Sequence, residues 1–187
     1  MDRSDALSAS LAVFVQYGYR KTSMEDVARA VGVSRQWIYQ QFESKEKLFA
    51  DVVSHALAMS RDGAIAALAD DGALADRMLR AFDRWCGDAM DSIGASPHSE
   101  ELFDAAVSRH GDQIVAMETD FQRALEHALE HGSTRHAATI SHADIALTLL
   151  RASHGIKKTA ADRAAYLDEM RRVVLVTIGE RPSYSPT

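Results

Sequence analysis

The sequence predicts an all-α chain with an N-terminal three-helix head and a larger helical body. Apolar residues recur at three- and four-residue spacing almost throughout, β-branched alternation bounded by turns is hard to find, and cap residues and glycines cut the chain into helix-sized intervals. With 187 residues, 47% of them apolar and 26% charged, the chain can bury a core; 3 Pro and 10 Gly exclude collagen-like and low-complexity classes.

The first helix is expected from about Ser4 to Tyr17, with Leu7, Leu11, Phe14 and Val15 at helical spacing and Gly18 as its stop. A short second helix follows, capped by Ser23 with Asp26 as its box partner, burying Val27, Ala28 and Val31 and ending at Gly32. Ser34 caps a third helix to about Gln41, anchored by Ile38 and Phe42, which leaves Arg35, Gln36, Trp37, Tyr39, Gln40 and Gln41 facing outward. Ser44 caps a long fourth helix that carries Leu48, Phe49, Val52, Val53 and Leu57. Breakers at Gly63, Asp70-Asp71-Gly72, Gly94-Ala95-Ser96-Pro97 and Gly132-Ser133-Thr134 divide the body. The intervals predict helices over about Leu74–Ile93, Asp112–Glu130, Ser141–His154 and Ala161–Ile178, and a frayed tail from Gly179.

Charge separates the two parts. Residues 1–50 hold 7 Lys and Arg against 6 Asp and Glu, whereas the remainder holds 14 against 21 and all 8 histidines. A net charge of −6 therefore hides a slightly basic head, where phosphate can be tolerated, on an acidic body. The N-terminus lacks the basic and apolar regions of an export signal, no run is long enough to span a bilayer, and Cys86 has no second thiol. A cytoplasmic protein with no membrane partner is expected.

Residues 23–42 have the logic of a helix-turn-helix. Gly32 supplies the positive φ of a sharp reversal, Ala28 lets the helices approach, and Val33 and Ile38 lock their crossing. Such a unit can lay its second helix in the major groove of DNA, where Arg35 suits guanine and Gln36 suits adenine. Ser23, Tyr39 and Lys45 are placed for phosphate around two capped helix N-termini, those of Ser23 and Ser34. Trp37 can stack on a sugar, touch a thymine methyl, or pack against the first helix.

The stretches Phe14-Val15-Gln16-Tyr17-Gly18-Tyr19, Thr22-Ser23-Met24-Glu25-Asp26-Val27-Ala28, Gly32-Val33-Ser34, Ile38-Tyr39-Gln40-Gln41-Phe42 and Ser44-Lys45-Glu46-Lys47-Leu48 resemble the DNA-binding head of TetR-type regulators. The resemblance covers roughly residues 4–54. It implies a homodimeric, ligand-responsive regulator, usually a repressor, with a divergent body that binds a small molecule and last two helices that pair the protomers. On that basis residues 1–48 form the DNA-binding domain, and residues 49–187 a helical effector-binding and dimerisation domain. Ser23, Arg35, Gln36, Trp37, Tyr39, Gln40 and Lys45 become operator contacts by position. The family usually places small residues early in the recognition helix, where this chain has Gln36-Trp37.

In the body, Met78, Phe82, Trp85, Cys86, Ala89, Phe103, Met117 and Phe121 form an aromatic and sulfur-rich stripe that reads as core or as an apolar effector pocket. Ile145, Leu149 and Ala152 share one helical face, and Leu167, Met170, Val174 and Thr177 another; left bare they would form an unusually large apolar patch, so they are expected at a dimer interface. His127-Ala128-Leu129-Glu130-His131 matches an H-x-x-E-H pattern, but a catalytic zinc needs a third protein ligand that nothing after it advertises. No nucleotide-binding or nucleophile-elbow motif is present. The expectation is a non-enzymatic regulator with no cofactor and no resident metal, whose partners are double-stranded operator DNA, a small effector and a second copy of itself. The alternatives are a metal-binding sensor or hydrolase using the histidine-rich body, and a DNA-binding dimer with no small effector.

Overall fold

In the computed structural model, residues 2–132 and 140–179 are described, and their regular structure is helical with no strand. The α-helices are α1 (Arg3–Tyr17), α2 (Met24–Val31), α3 (Arg35–Phe42), α4 (Lys45–Ala69), α5 (Leu74–Phe82), α6 (Ser99–Glu130), α7 (His142–Thr159) and α8 (Arg163–Ile178). Contacts divide the chain into two compact units, one of residues 1–59 and 92–117, the other of residues 60–91 and 118–187. The first unit thus extends beyond a head of residues 1–48 and takes in a segment from far along the chain. The expected breaks at Ser133-Thr134 and the tail beyond Gly179 lie outside the described residues.

The first unit is built on the apolar stripe of α1. Leu7, Val13 and Phe14 bury against Val27, Val31, Ile38, Phe42, Leu48, Phe49 and Val52, and Leu102 of α6 joins the same core. Phe14 and Phe49 meet edge to face at 5.1 Å, and Tyr19 lies 4.7 Å from Phe49. Helix α1 begins one residue earlier than expected because Asp2 caps it, with Asp5 completing the box.

The second unit centres on Met78, Phe82, Phe121, Leu125, Leu129, Leu149, Tyr166, Met170 and Val174, all of them fully buried. Phe121 stacks on Trp85 at 4.4 Å and meets Phe82 edge to face at 5.4 Å. The expected helix over Leu74–Ile93 is regular only to Phe82; two π-helical stretches, Asp83–Gly87 and Met90–Gly94, follow. Arg163 accompanies this change by gathering the carboxylates of Asp83 (2.7 Å), Asp88 (2.9 Å) and Asp91 (2.8 Å), and hydrogen bonds to Asp83 and Asp91 hold its guanidinium further above its ordinary value.

Three sequence expectations need correction. Gly63 does not break the chain, since α4 runs through it to Ala69; one glycine costs a helix only about 1 kcal/mol, which its flanks outweigh. The helix expected from Asp112 starts at Ser99 and is kinked at His110, where φ is −128° and ψ 21°. Most consequentially, Ile145, Leu149, Met170 and Val174 are buried inside the single chain, where α8 packs against both α7 and α5. Periodicity marks a face as buried without saying against what. Those four side chains are therefore closed to a second copy, while Ala152, Leu167 and Thr177 are half-buried and Val176 is 74% exposed.

Candidate nucleic-acid interface

The helix-turn-helix lies wholly in the first unit, and its local chemistry is that of two capped helices around one glycine turn. Ser23 and Asp26 bond reciprocally: the Ser23 N–H donates to Oδ2 at 3.1 Å and its hydroxyl at 2.5 Å, while Oγ accepts the Asp26 N–H at 3.2 Å. The Ser23 hydroxyl and N–H hold the Asp26 carboxyl below the usual carboxylate range. Gly32, at φ 77° and ψ 28°, ends α2 in the left-handed conformation, and Val33 N–H returns to the Ala28 carbonyl at 2.9 Å. Ser34 Oγ accepts the Trp37 N–H at 3.1 Å, and the N–H groups of the first turn of α3 open beside it.

Of the side chains expected to face outward from α3, Arg35, Gln36, Tyr39 and Gln40 are exposed, and Ser34 with them. Arg35 pairs with Glu25 of α2 at 2.9 Å and lies 5.5 Å from the Tyr39 ring centre. Its side chain is 70% exposed, so the pair is a weak one that can exchange for another acceptor. Trp37 departs from the expectation: it is half-buried on the core of the first unit, 6.5 Å from the Phe42 ring, because at this point α3 lies close to its anchor.

Lys45 is also more constrained than its spacing suggests. Its ammonium donates to the carbonyls of Tyr19 (3.2 Å) and Arg20 (3.4 Å) and sits 4.8 Å from the Tyr19 ring centre. These bonds use two of its three N–H donors, so its ammonium ties down the α1–α2 loop. Arg20, Lys21 and Arg29 are further exposed cations of this unit that the helix-turn-helix spacing does not single out. A readable signal existed for the first two, a basic pair immediately ahead of the Ser23 cap.

Of the expected effector-pocket residues, Met78, Phe82, Trp85, Cys86 and Phe121 come together in the interior of the second unit, and Ala89 is half-buried between the π-helical stretches. Phe103 is not among them, being 62% exposed while its neighbour Leu102 turns inward; one residue is about 100° of rotation on a helix. Met117 is half-buried and is the last residue of the first unit. A separate open groove of about 340 Å³ in the second unit is lined by Leu79, Arg80, Asp83, Leu167, Asp168 and Arg171. His127 and His131 are exposed, with ring centres 4.3 Å apart and His131 Nδ1 against the His127 carbonyl. Among the described residues no group of three or more potential metal ligands occurs, and no helix is long and apolar enough to cross a membrane.

Residues 6–52 match the model of the bacterial regulatory proteins of the tetR family. Over 52 residues the chain is 38% identical to the HTH-type transcriptional repressor ComR of Escherichia coli K12, covering 28% of this chain and 25% of that one. Over 47 residues it is 40% identical to the probable acrEF/envCD operon repressor of the same organism, covering 25% and 21%. The chain thus aligns with about a quarter of the length of these curated relatives. Along nearly its whole length it has the fold of a TetR-family regulator from Mesorhizobium loti (TM-score 0.66, 18% identity, 96% of this chain and 98% of that one). The same holds for the TetR/AcrR-family regulator from Thermobifida fusca (TM-score 0.67, 16% identity, 98% of each chain).

Proposed function

We propose that the chain is a regulator of TetR type, whose family model matches residues 6–52 and whose fold it has, and that it is ligand-responsive: a repressor that grips a palindromic operator as a homodimer and is released by a small apolar or aromatic effector. The observation that carries this reading is the exposed, capped α3 with Arg35, Gln36, Tyr39 and Gln40 on its free face. Two such helices about 34–36 Å apart meet successive major-groove half-sites. Arg35 leaves Glu25 for a guanine edge, Gln36 reads adenine, and the phosphates are met by Tyr39, by the third N–H of Lys45 and by the N–H groups behind Ser23 and Ser34. Arg20 and Lys21, on the loop ahead of α2, add exposed positive charge to that contact.

Residues 1–48 act as the DNA-binding domain and residues 49–187 as the effector-binding and dimerisation domain, without enzymatic activity, in the cytoplasm. The buried cluster of Phe82, Trp85 and Phe121, beside a helix already distorted into π turns, supports an apolar effector site, since π turns are frequent where helices carry function. Pairing of protomers uses the outward side of α7 and α8, around Val176, rather than the stripe those helices bury between themselves. The direct ring contacts in the cluster favour a second reading, a DNA-binding dimer without a small effector. Selection of bound fragments from random DNA tests the regulator: recovery of a palindrome is expected, and recovery of no sequence overturns it. A thermal-shift screen of apolar compounds, followed by operator affinity with and without each hit, decides between the two readings.

A further inference from the structure

The loop between α1 and α2, residues 18–22, sets the entry of the helix-turn-helix, and it is held from two sides by opposite charges. On one side the Lys45 ammonium takes the carbonyls of Tyr19 and Arg20. On the other, Oε1 of Glu101, a residue of α6 eighty-one positions beyond Arg20, accepts the Arg20 backbone N–H at 2.9 Å. Cation at carbonyl and anion at N–H match the polarity of the peptide units they hold.

The docking of this segment of α6 is close. A Cβ built on Gly18 would stand 2.8 Å from Glu101 Oε2 and 3.1 Å from the His98 ring, and Gly18 has φ +80°, so no other residue fits there without displacing the carboxylate. Just ahead of α6, the Ser96 hydroxyl donates to the Val15 carbonyl at 2.5 Å and receives the His98 N–H at 3.1 Å. Leu102, 5% exposed, anchors the segment in the core of the first unit. Arg109, two turns on, places its guanidinium 5.2 Å from the Tyr19 ring centre. Within the loop, Thr22 Oγ1 donates to the Gly18 carbonyl at 2.7 Å, which closes the loop around Arg20 one residue before the Ser23 cap.

We propose that Glu101 is a positioning residue for DNA binding: its carboxylate pins the α1–α2 loop against Lys45 and so orients α2 and the reading helix α3. The proposal rests on the DNA-binding reading above. Removing Glu101 loses the pin but also removes a negative charge from beside Arg20, 3.9 Å away, which raises attraction for any DNA. Specific and non-specific binding therefore move apart, and geometry is separable from charge by three substitutions. Glu101→Gln keeps an acceptor at the same reach without the charge, Glu101→Asp keeps the charge but falls short of the N–H, and Glu101→Ala loses both.

The experiment uses the full chain, a DNA fragment selected by the wild-type protein and a scrambled duplex of the same length. Alanine and aspartate are expected to weaken binding to the selected fragment about 3- to 20-fold, the range of a charge-assisted hydrogen bond softened by solvent, while glutamine stays within about 2-fold of wild type. None of the three should weaken binding to the scrambled duplex. Hydrogen exchange at the Arg20 amide is expected to be slow in wild type and glutamine and fast in the other two. Alanine or aspartate binding like wild type, glutamine losing as much as alanine, or parallel loss on both duplexes would overturn the proposal. Should Glu101→Ala fail to fold, the aspartate and glutamine pair still decides. If wild type selects no fragment, the regulator reading itself falls; if it selects one and the variants behave alike, only the role of Glu101 falls.

Discussion

The helix pairs α2–α3 and α7–α8 both carry capping serines or aspartates and a regular apolar stripe, yet they do opposite things with their surfaces. In α2–α3 the stripe is short and closes on the first unit's core, and the informative residues are the polar ones left over. In α7–α8 the stripe is long and closes on the second unit's own interior, with Ser153 bonded to the Tyr166 hydroxyl at 2.8 Å within it. Burial there raises the Tyr166 phenol well above its ordinary value. Apolar spacing therefore has one meaning in both pairs, burial, and only the residual surface separates the proposed reading helix from a packing helix.

The largest effect that sharpens this contrast is expected from Met170→Ala. As a fully buried side chain, its removal should cost about 2–5 kcal/mol in urea unfolding, by the transfer and cavity terms of a core deletion. If the stripe packs within one chain, sedimentation of the folded variant should show wild-type association. Val176→Asp should do the reverse, weakening association with little change to the protomer; association unchanged by Val176→Asp would take the proposed pairing surface away from this part of α8.

Next come the proposed reading residues. Replacing Arg35 or Gln36 by alanine should cost about 1–3 kcal/mol of operator binding and relax preference at one base pair each, with thermal stability nearly unchanged because both are exposed. Lys45→Ala differs from both. It should reduce the slope of log affinity against log salt by about one and, through loss of its two carbonyl partners, lower the melting temperature as well. A salt effect without a stability effect would mean that the loop bonds are incidental.

Ser34→Ala, which removes the cap of α3, should cost about 1 kcal/mol of stability, measured by chemical denaturation. The smallest expected effect is a pH dependence. Asp26 has its carboxyl lowered by Ser23, so its contribution is complete above the unfolded-chain value and is lost as pH falls through the lower folded value. Ser23→Ala should therefore flatten the acid limb of melting temperature against pH. An unchanged limb would show that the capping box carries no linkage.

Local signals made most of the first unit legible. The Ser23–Asp26 box, the Gly32 turn and the Ser34 cap are each set by residues within four positions of one another, and all three form as their spacing predicts. The outward placement of Arg35, Gln36, Tyr39 and Gln40 follows from the same short-range geometry. Trp37 was less legible because an indole on a short helix can reach either solvent or core. Glu101 was not legible at all, since a carboxylate eighty-one residues away leaves no periodic trace beside Arg20.

The sequence alone determined the helical class, the capped turn between α2 and α3 and the polar face of α3, because helix formation, capping and glycine reversal are governed by neighbours along the chain. The tertiary structure decided what each apolar stripe is buried against. It closed Ile145, Leu149, Met170 and Val174 inside one chain, turned Phe103 outward, drew three aspartates onto Arg163, and brought residues 92–117 into one unit with residues 1–59. Burial is non-directional and roughly proportional to area, so a hydrophobic pattern specifies that a face must be covered, and only the packed chain selects its cover.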